Sequence, residues 1–167
     1  IDREKVRVEV LLEHAASRKT QLCLHFEHRE YADFTLTVSG KDSVAFEVPL
    51  PAQHLWTLED PYLYEVTVSL MQGKKTQDVV RSYFGQRKIS SMYLPGKNYR
   101  YIALNNRPVY LQLCLDQSYH PEGYYCFPSD ECMKNEILIS KRLGLKGNRV
   151  HIKTEVPRKL YWADRLG

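Results

Sequence analysis

The sequence predicts a mainly β fold, an antiparallel β-sandwich followed by a βαβα segment. Three observations carry that reading. Apolar and polar residues alternate with period two from Val6 to about Ile89, the alternation ends near Pro95-Gly96, and two helix signatures then interleave with short apolar runs. The implied division is a sandwich over residues 1–94 and a second region over residues 95–167.

In the first region Val6, Val8 and Val10 alternate with Arg7 and Glu9, and Leu22, Leu24 and Phe26 alternate with Cys23 and His25. The runs Phe34-Leu36-Val38 and Val44-Phe46-Val48 repeat the pattern, then Tyr62, Tyr64, Val66 and Val68, and last Val79 to Phe84. Successive strand residues point to opposite faces, so each run sets one face on a core and the other in water. Ser39-Gly40-Lys41-Asp42 and Gln72-Gly73-Lys74-Lys75 supply turns between runs. Six or seven short strands at this spacing pack as a sandwich.

In the second region Tyr101–Leu104 and Arg107–Leu111 flank Asn105-Asn106, a pair that tolerates the positive φ angles of a tight hairpin. The apolar run Leu111–Leu115 reads as a buried strand. Ser129 is placed to cap a helix that carries Asp130 and Glu131 in its first turn, Lys141 and Arg142 in its last, and Gly144 as its stop. A strand over Gly147–Ile152 follows, and Pro157 opens a second helix, Arg158–Leu166, closed by Gly167. Strand, helix, strand, helix with short joins is the pattern of a parallel sheet. A βαβα unit by itself leaves open strand edges and an uncovered sheet face. Together with an opening, Ile1-Asp2-Arg3-Glu4, that has neither an initiator methionine nor a signal-peptide pattern, this leads us to expect a piece of a longer protein.

The 167 residues are 43% hydrophobic and 26% charged, a balance that argues against disorder. No run approaches the ~20 apolar residues of a membrane-spanning helix. The 24 basic and 20 acidic residues are spread along the chain, and a net charge of +4 without a basic face argues against nucleic acid as a partner. Cys23, Cys114, Cys126 and Cys132 show neither C-x-x-C pairing nor metal-ligand spacing, so they read as reduced thiols, and no cofactor is expected. The compartment is left open.

Five motifs in order resemble the family 2 glycoside hydrolases, the β-galactosidases, β-glucuronidases and β-mannosidases. Leu55-Trp56 through Pro61-Tyr62-Leu63-Tyr64 is similar to their "LW…P.LY" signature, and Phe84-Gly85-Gln86-Arg87 to their "FG.R" strand. Leu104-Asn105-Asn106-Arg107-Pro108 resembles the "LNG.P" hairpin that leads into their barrel. Leu115-Asp116-Gln117-Ser118-Tyr119-His120-Pro121-Glu122-Gly123 resembles the "LDQ.YWP.G" loop of one branch, as do Arg149-Val150-His151 and Tyr161-Trp162-Ala163-Asp164-Arg165-Leu166-Gly167 its "R.H" and "YWADRLG". The resemblance covers residues 55–167. It implies an immunoglobulin-like sandwich followed by the first two βα units of a (β/α)8 barrel, about 70 of the roughly 250 residues a barrel needs. It further implies a retaining β-glycosidase whose two catalytic glutamates lie on later strands, so the isolated chain is expected to be inactive. A carbohydrate is the implied substrate, and dimerisation through exposed barrel surfaces is expected.

The same resemblance marks three substrate-binding candidates at the ends of barrel strands. Asp116 is suited to bind two sugar hydroxyls, or else to cap loop amides as turn aspartates do. Arg149 and His151, spaced by two, share a face. Arg149 is suited to orient the nucleophilic carboxylate and keep it ionised, and His151 to donate to a sugar hydroxyl, or the two are a structural ion-pair partner and a surface histidine. His120 stands where the branch has tryptophan, Gln112-Leu113 where the family has Arg-Gly, Lys146 where asparagine is common, and Asn148 where a β-branched residue is. A polar Asn148 in a strand requires a partner. Trp56, Tyr62 and Tyr64 read as packing residues rather than a sugar platform. The alternative from another class is a non-catalytic immunoglobulin-like binding or interaction module.

Overall fold

A computed structural model of the chain describes residues 1–28, 31–117 and 119–167. The chain forms two compact units, one from Ile1–His54 and Leu63–Gln86, the other from Leu55–Tyr62 and Arg87–Gly167. Among the described residues no helix is long and apolar enough to cross a membrane.

The first unit holds β1 (Lys5–Leu11), β2 (Thr20–Phe26), β3 (Phe34–Thr37), β4 (Ser43–Pro49), β5 (Tyr64–Gln72) and β6 (Lys75–Phe84). The strands β1 and β4 pair, and β3-β2-β5-β6 form an antiparallel sheet. Alternation in β2 buries Leu22, Leu24 and Phe26 and leaves Gln21 and His25 exposed. Leu22 meets Val38 and Val44, with Val10, Phe46 and Val68 around them. Phe34 stacks on Phe46 at 4.7 Å, and Tyr64 on Phe84 at 4.8 Å. Each fully buried side chain of this size contributes about 1.5–3 kcal/mol.

The second unit begins its sheets with β7 (Ile89–Tyr93), β8 (Arg100–Leu104) and β9 (Arg107–Pro108), paired in that order. Asn105 and Asn106 turn the hairpin between β8 and β9 with φ of 51° and 63°, in the left-handed region their side chains tolerate. The strand β9 ends at Pro108 and is shorter than the strand expected to reach Leu111, with a last bond from the Val109 N–H to the Ile102 carbonyl at 2.9 Å. The short strand β10 covers only Cys114–Asp116, and Leu111, Leu113 and Leu115 are 38%, 41% and 56% exposed. The buried strand expected over Leu111–Leu115 is therefore corrected: among the described residues no element covers that sheet face.

The helix α1 (Asp130–Arg142) starts at Ser129, whose Oγ accepts from the Cys132 N–H at 3.1 Å, and chain reversal follows at Gly144 with φ of 79°. It leads to β11 (Asn148–Val150), parallel to β10, and then to α2 (Pro157–Leu166), with proline at its start and Gly167 at its end. Sheet and helix packing agree with the mainly β, antiparallel reading of the sequence.

Candidate functional site

The parallel pair fixes two faces. Its register sets Cys114 opposite Asn148, Leu115 opposite Arg149 and Asp116 opposite Val150. Residues paired across parallel strands share a face and chain neighbours alternate, so Cys114, Asp116, Asn148 and Val150 lie together and Leu115 and Arg149 lie opposite. The first face is the helix side: Ser140 of α1 donates to Asn148 Oδ1 at 3.4 Å and Lys159 of α2 to Asp116 Oδ2 at 2.6 Å. Cys114 Sγ also donates to Asn148 Oδ1 at 3.0 Å, which supplies the partner that this polar strand residue requires.

On the opposite face Arg149 is exposed and forms no ion pair among the described residues. His151 follows directly after β11, and its N–H donates to the Asp116 carbonyl at 2.9 Å. The Gln117 amide nitrogen lies 3.4 Å from His151 Nδ1. The Gln117–His151 contact joins the loops that follow the two strands.

Asp116 is held differently. Lys159, 3% exposed, bonds Asp116 Oδ2 at 2.6 Å and Glu136 Oε2 at 3.0 Å, and lies 3.5 Å from Glu155 Oε2. Burial draws the Lys159 pKa down, but its hydrogen bonds to Asp116 and Glu136 outweigh that and hold it above the ordinary lysine value. The ammonium is thus a permanent cation among three carboxylates and no nucleophile. The structure therefore puts Arg149 and Asp116 on opposite faces, Asp116 behind a bound lysine, and leaves His151 just past the strand end against Gln117. A cavity of about 290 Å³ opens on that helix side, lined in part by Asp116, Lys159, Val150, Leu160 and Trp56.

Four of the motifs meet inside this unit. The Trp56 indole donates to the Asp164 carbonyl at 2.7 Å, Arg87 stacks over the Trp56 ring at 4.6 Å and donates to Asp164 Oδ1 at 2.8 Å, and Asn105 donates to the Trp56 carbonyl at 2.9 Å. Residues far apart in sequence thus form one polar and aromatic knot. Residues 2–87 match the profile described as glycosyl hydrolases family 2.

The chain belongs to this family.

Solved structures of family 2 glycosyl hydrolases share its fold. A member from Bacteroides cellulosilyticus superposes with a TM-score of 0.73 at 22% identity, over 99% of this chain and 23% of that one. A β-galacturonidase from Eisenbergiella tayi, bound to galacturonate, gives 0.75 at 21% identity, over 98% and 28%. A β-glucuronidase from Parabacteroides merdae gives 0.69 at 18% identity, over 89% and 18%. The chain therefore spans less than a third of these relatives. No curated protein matches it.

The sequence reading missed Lys159, Glu136 and Glu155. The Glu155–Lys159 spacing of four at a helix start was a legible signal for an ion pair. Nothing local pointed Lys159 at Asp116, which is 43 residues away.

Proposed function

We propose that this chain is the sandwich and the first two βα units of a retaining β-glycosidase, with the domain boundary near residue 94. In this reading Arg149 and His151 belong to the wall of its sugar pocket. The observation that carries the proposal is the pair β10 and β11 with both helices on one face and Arg149 on the other, since in a (β/α)8 barrel the face away from the helices is the lumen and chemistry gathers at the C-terminal strand ends. Family membership and superposition over nearly the whole chain support it. β-Glycosides are the proposed substrates.

Arg149 supplies a fixed positive charge that keeps a nucleophilic carboxylate ionised, and His151 donates to a sugar hydroxyl. Asp116 acts as a positioning residue: its carboxylate is neutralised by Lys159 while its carbonyl holds the His151 N–H. The carboxylate pair of a retaining mechanism, about 5 Å apart and open to substrate, is assigned to later strands. Asp116, Glu136 and Glu155 surround one ammonium on the helix side and do not fill that role.

The test is kinetic, on the complete gene product. Arg149→Ala lowers kcat/KM on a chromogenic β-glycoside about 10²–10³-fold, as loss of an electrostatic stabiliser does, and His151→Ala lowers it about tenfold. Unchanged kcat/KM in Arg149→Ala, or a gene product without two further glutamates on barrel strands, would overturn the proposal.

A further inference from the structure

The loops after β10 and β11 hold a second constellation. Residues 119–125 present three exposed rings, Tyr119, Tyr124 and Tyr125, at 50%, 75% and 65% exposure. The loop that carries them is braced. His120 and Tyr124 exchange backbone hydrogen bonds of 3.0 and 2.8 Å, the Cys126 N–H donates to the Gly123 carbonyl at 2.9 Å, and the Glu122 N–H donates to His120 Nδ1 at 3.2 Å. Gly123 has no room for a side chain, because a Cβ would lie 1.9 Å from the Cys126 oxygen. Tyr124 has a φ of 53°, which a bulky residue adopts only where its surroundings hold it.

His120 Nε2 lies 3.4 Å from Cys132 Sγ of α1, tying the loop to that helix. Burial, with the Glu136 and Glu122 charges, pushes the Cys132 thiol up, so this contact is a brace and not a nucleophile with its base.

On that frame Tyr119 and Tyr125 meet edge to face, their centroids 5.2 Å apart at 66°. Lys153, from the loop after β11, donates to the Tyr125 carbonyl at 2.6 Å and stands 5.6 and 5.9 Å from the two ring centroids. An ammonium is thereby fixed over an exposed aromatic pair at the C-terminal ends of parallel strands, where such folds bind ligands.

We infer that Tyr119, Tyr125 and Lys153 form a subsite for an acidic sugar, a hexuronate unit of a glycoside. The tyrosine rings pack against pyranose C–H groups and the Lys153 ammonium meets the carboxylate. A neutral sugar uses the rings alone, so the ammonium creates the preference for an acid. This inference rests on the glycosidase reading above and adds a charge preference to it.

The test is an NMR titration of the 167-residue chain with labelled tyrosine, glutamine and histidine side chains, using methyl β-galacturonide and methyl β-galactoside, which differ only at the C6 carboxylate. Tyr119 and Tyr125 signals shift with both, and the galacturonide binds about tenfold more tightly, the size of one charge-assisted contact. Lys153→Gln abolishes the preference, Lys153→Arg keeps it, and Tyr125→Ala weakens both sugars, with unchanged backbone spectra as the folding control. Equal affinity for the two sugars, or a preference that survives Lys153→Gln, overturns the inference. Shifts at Gln117 and His151 without shifts at Tyr119 and Tyr125 also overturn it but leave the glycosidase reading standing. No shift at any of these residues with either sugar overturns the inference, while the glycosidase reading is tested separately on the complete gene product.

Discussion

In the sandwich unit Tyr64, Phe26, Leu22, Leu24, Leu50 and Val38 are all less than 2% exposed, and its large exposed apolar residues among those described are Leu11, Val79 and Val80. In the other unit the buried Lys159 is ringed by Asp116, Glu136 and Glu155, while Leu113, Leu115, Val150, Ile152 and Leu160 are all more than 40% exposed. One unit is closed around apolar packing. The other relies on ion pairs and a polar knot and leaves apolar surface open. The difference teaches that strand pairing alone does not make a unit self-sufficient: what matters is whether its sheet faces are covered.

The largest effect that sharpens this contrast is expected in the sandwich. Phe26→Ala removes a fully buried ring in contact with Tyr31 and Phe84 and costs about 3–5 kcal/mol, read by chemical denaturation. A loss below about 1 kcal/mol would show that the sandwich core is not what holds that unit.

Lys159→Met comes next. It leaves three carboxylates without their cation and costs about 3 kcal/mol, with loss of α2 helicity by circular dichroism. A neutral effect would break the comparison, since the second unit would then not depend on its buried charge.

A smaller effect depends on pH. Asp130 accepts from Arg158 at 2.5 and 2.8 Å and from the Trp162 indole at 2.9 Å, and these bonds, Arg158 first, pull its pKa to about 2. The folded value lies below the unfolded one, so the stabilisation is complete above the ordinary aspartate range and is lost as pH falls from there to about 2. Trp162 fluorescence should change over that interval in the parent chain and not in Asp130→Asn. The smallest expected change is at the hairpin: Asn106→Gly relieves a φ of 63° and stabilises by up to about 1 kcal/mol by thermal melting.

The sandwich strands were legible because β2 and β4 each cover one face only, so their alternation is written in Leu22-Leu24-Phe26 and Val44-Phe46-Val48. Both helices were legible from end signals, Ser129 and Pro157, which act locally. The strand ends near Leu111 were not, because a run of leucines reads as buried and only tertiary structure shows how exposed it is. The position of Arg149 follows from strand alternation, while His151 lies one residue past the end of β11, where alternation no longer fixes a side chain. The opposite placement of Asp116 depends on the register of β10 against β11 and on Lys159 of α2, neither of which local pattern encodes.

The most direct check of the central claim is an assay of the purified 167-residue chain against 4-nitrophenyl β-galactoside, β-glucuronide, β-galacturonide and β-mannoside. The account predicts release at the rate of buffer alone for every substrate. Turnover that copurifies with the chain and disappears when one of its own carboxylates is changed to the amide would contradict it.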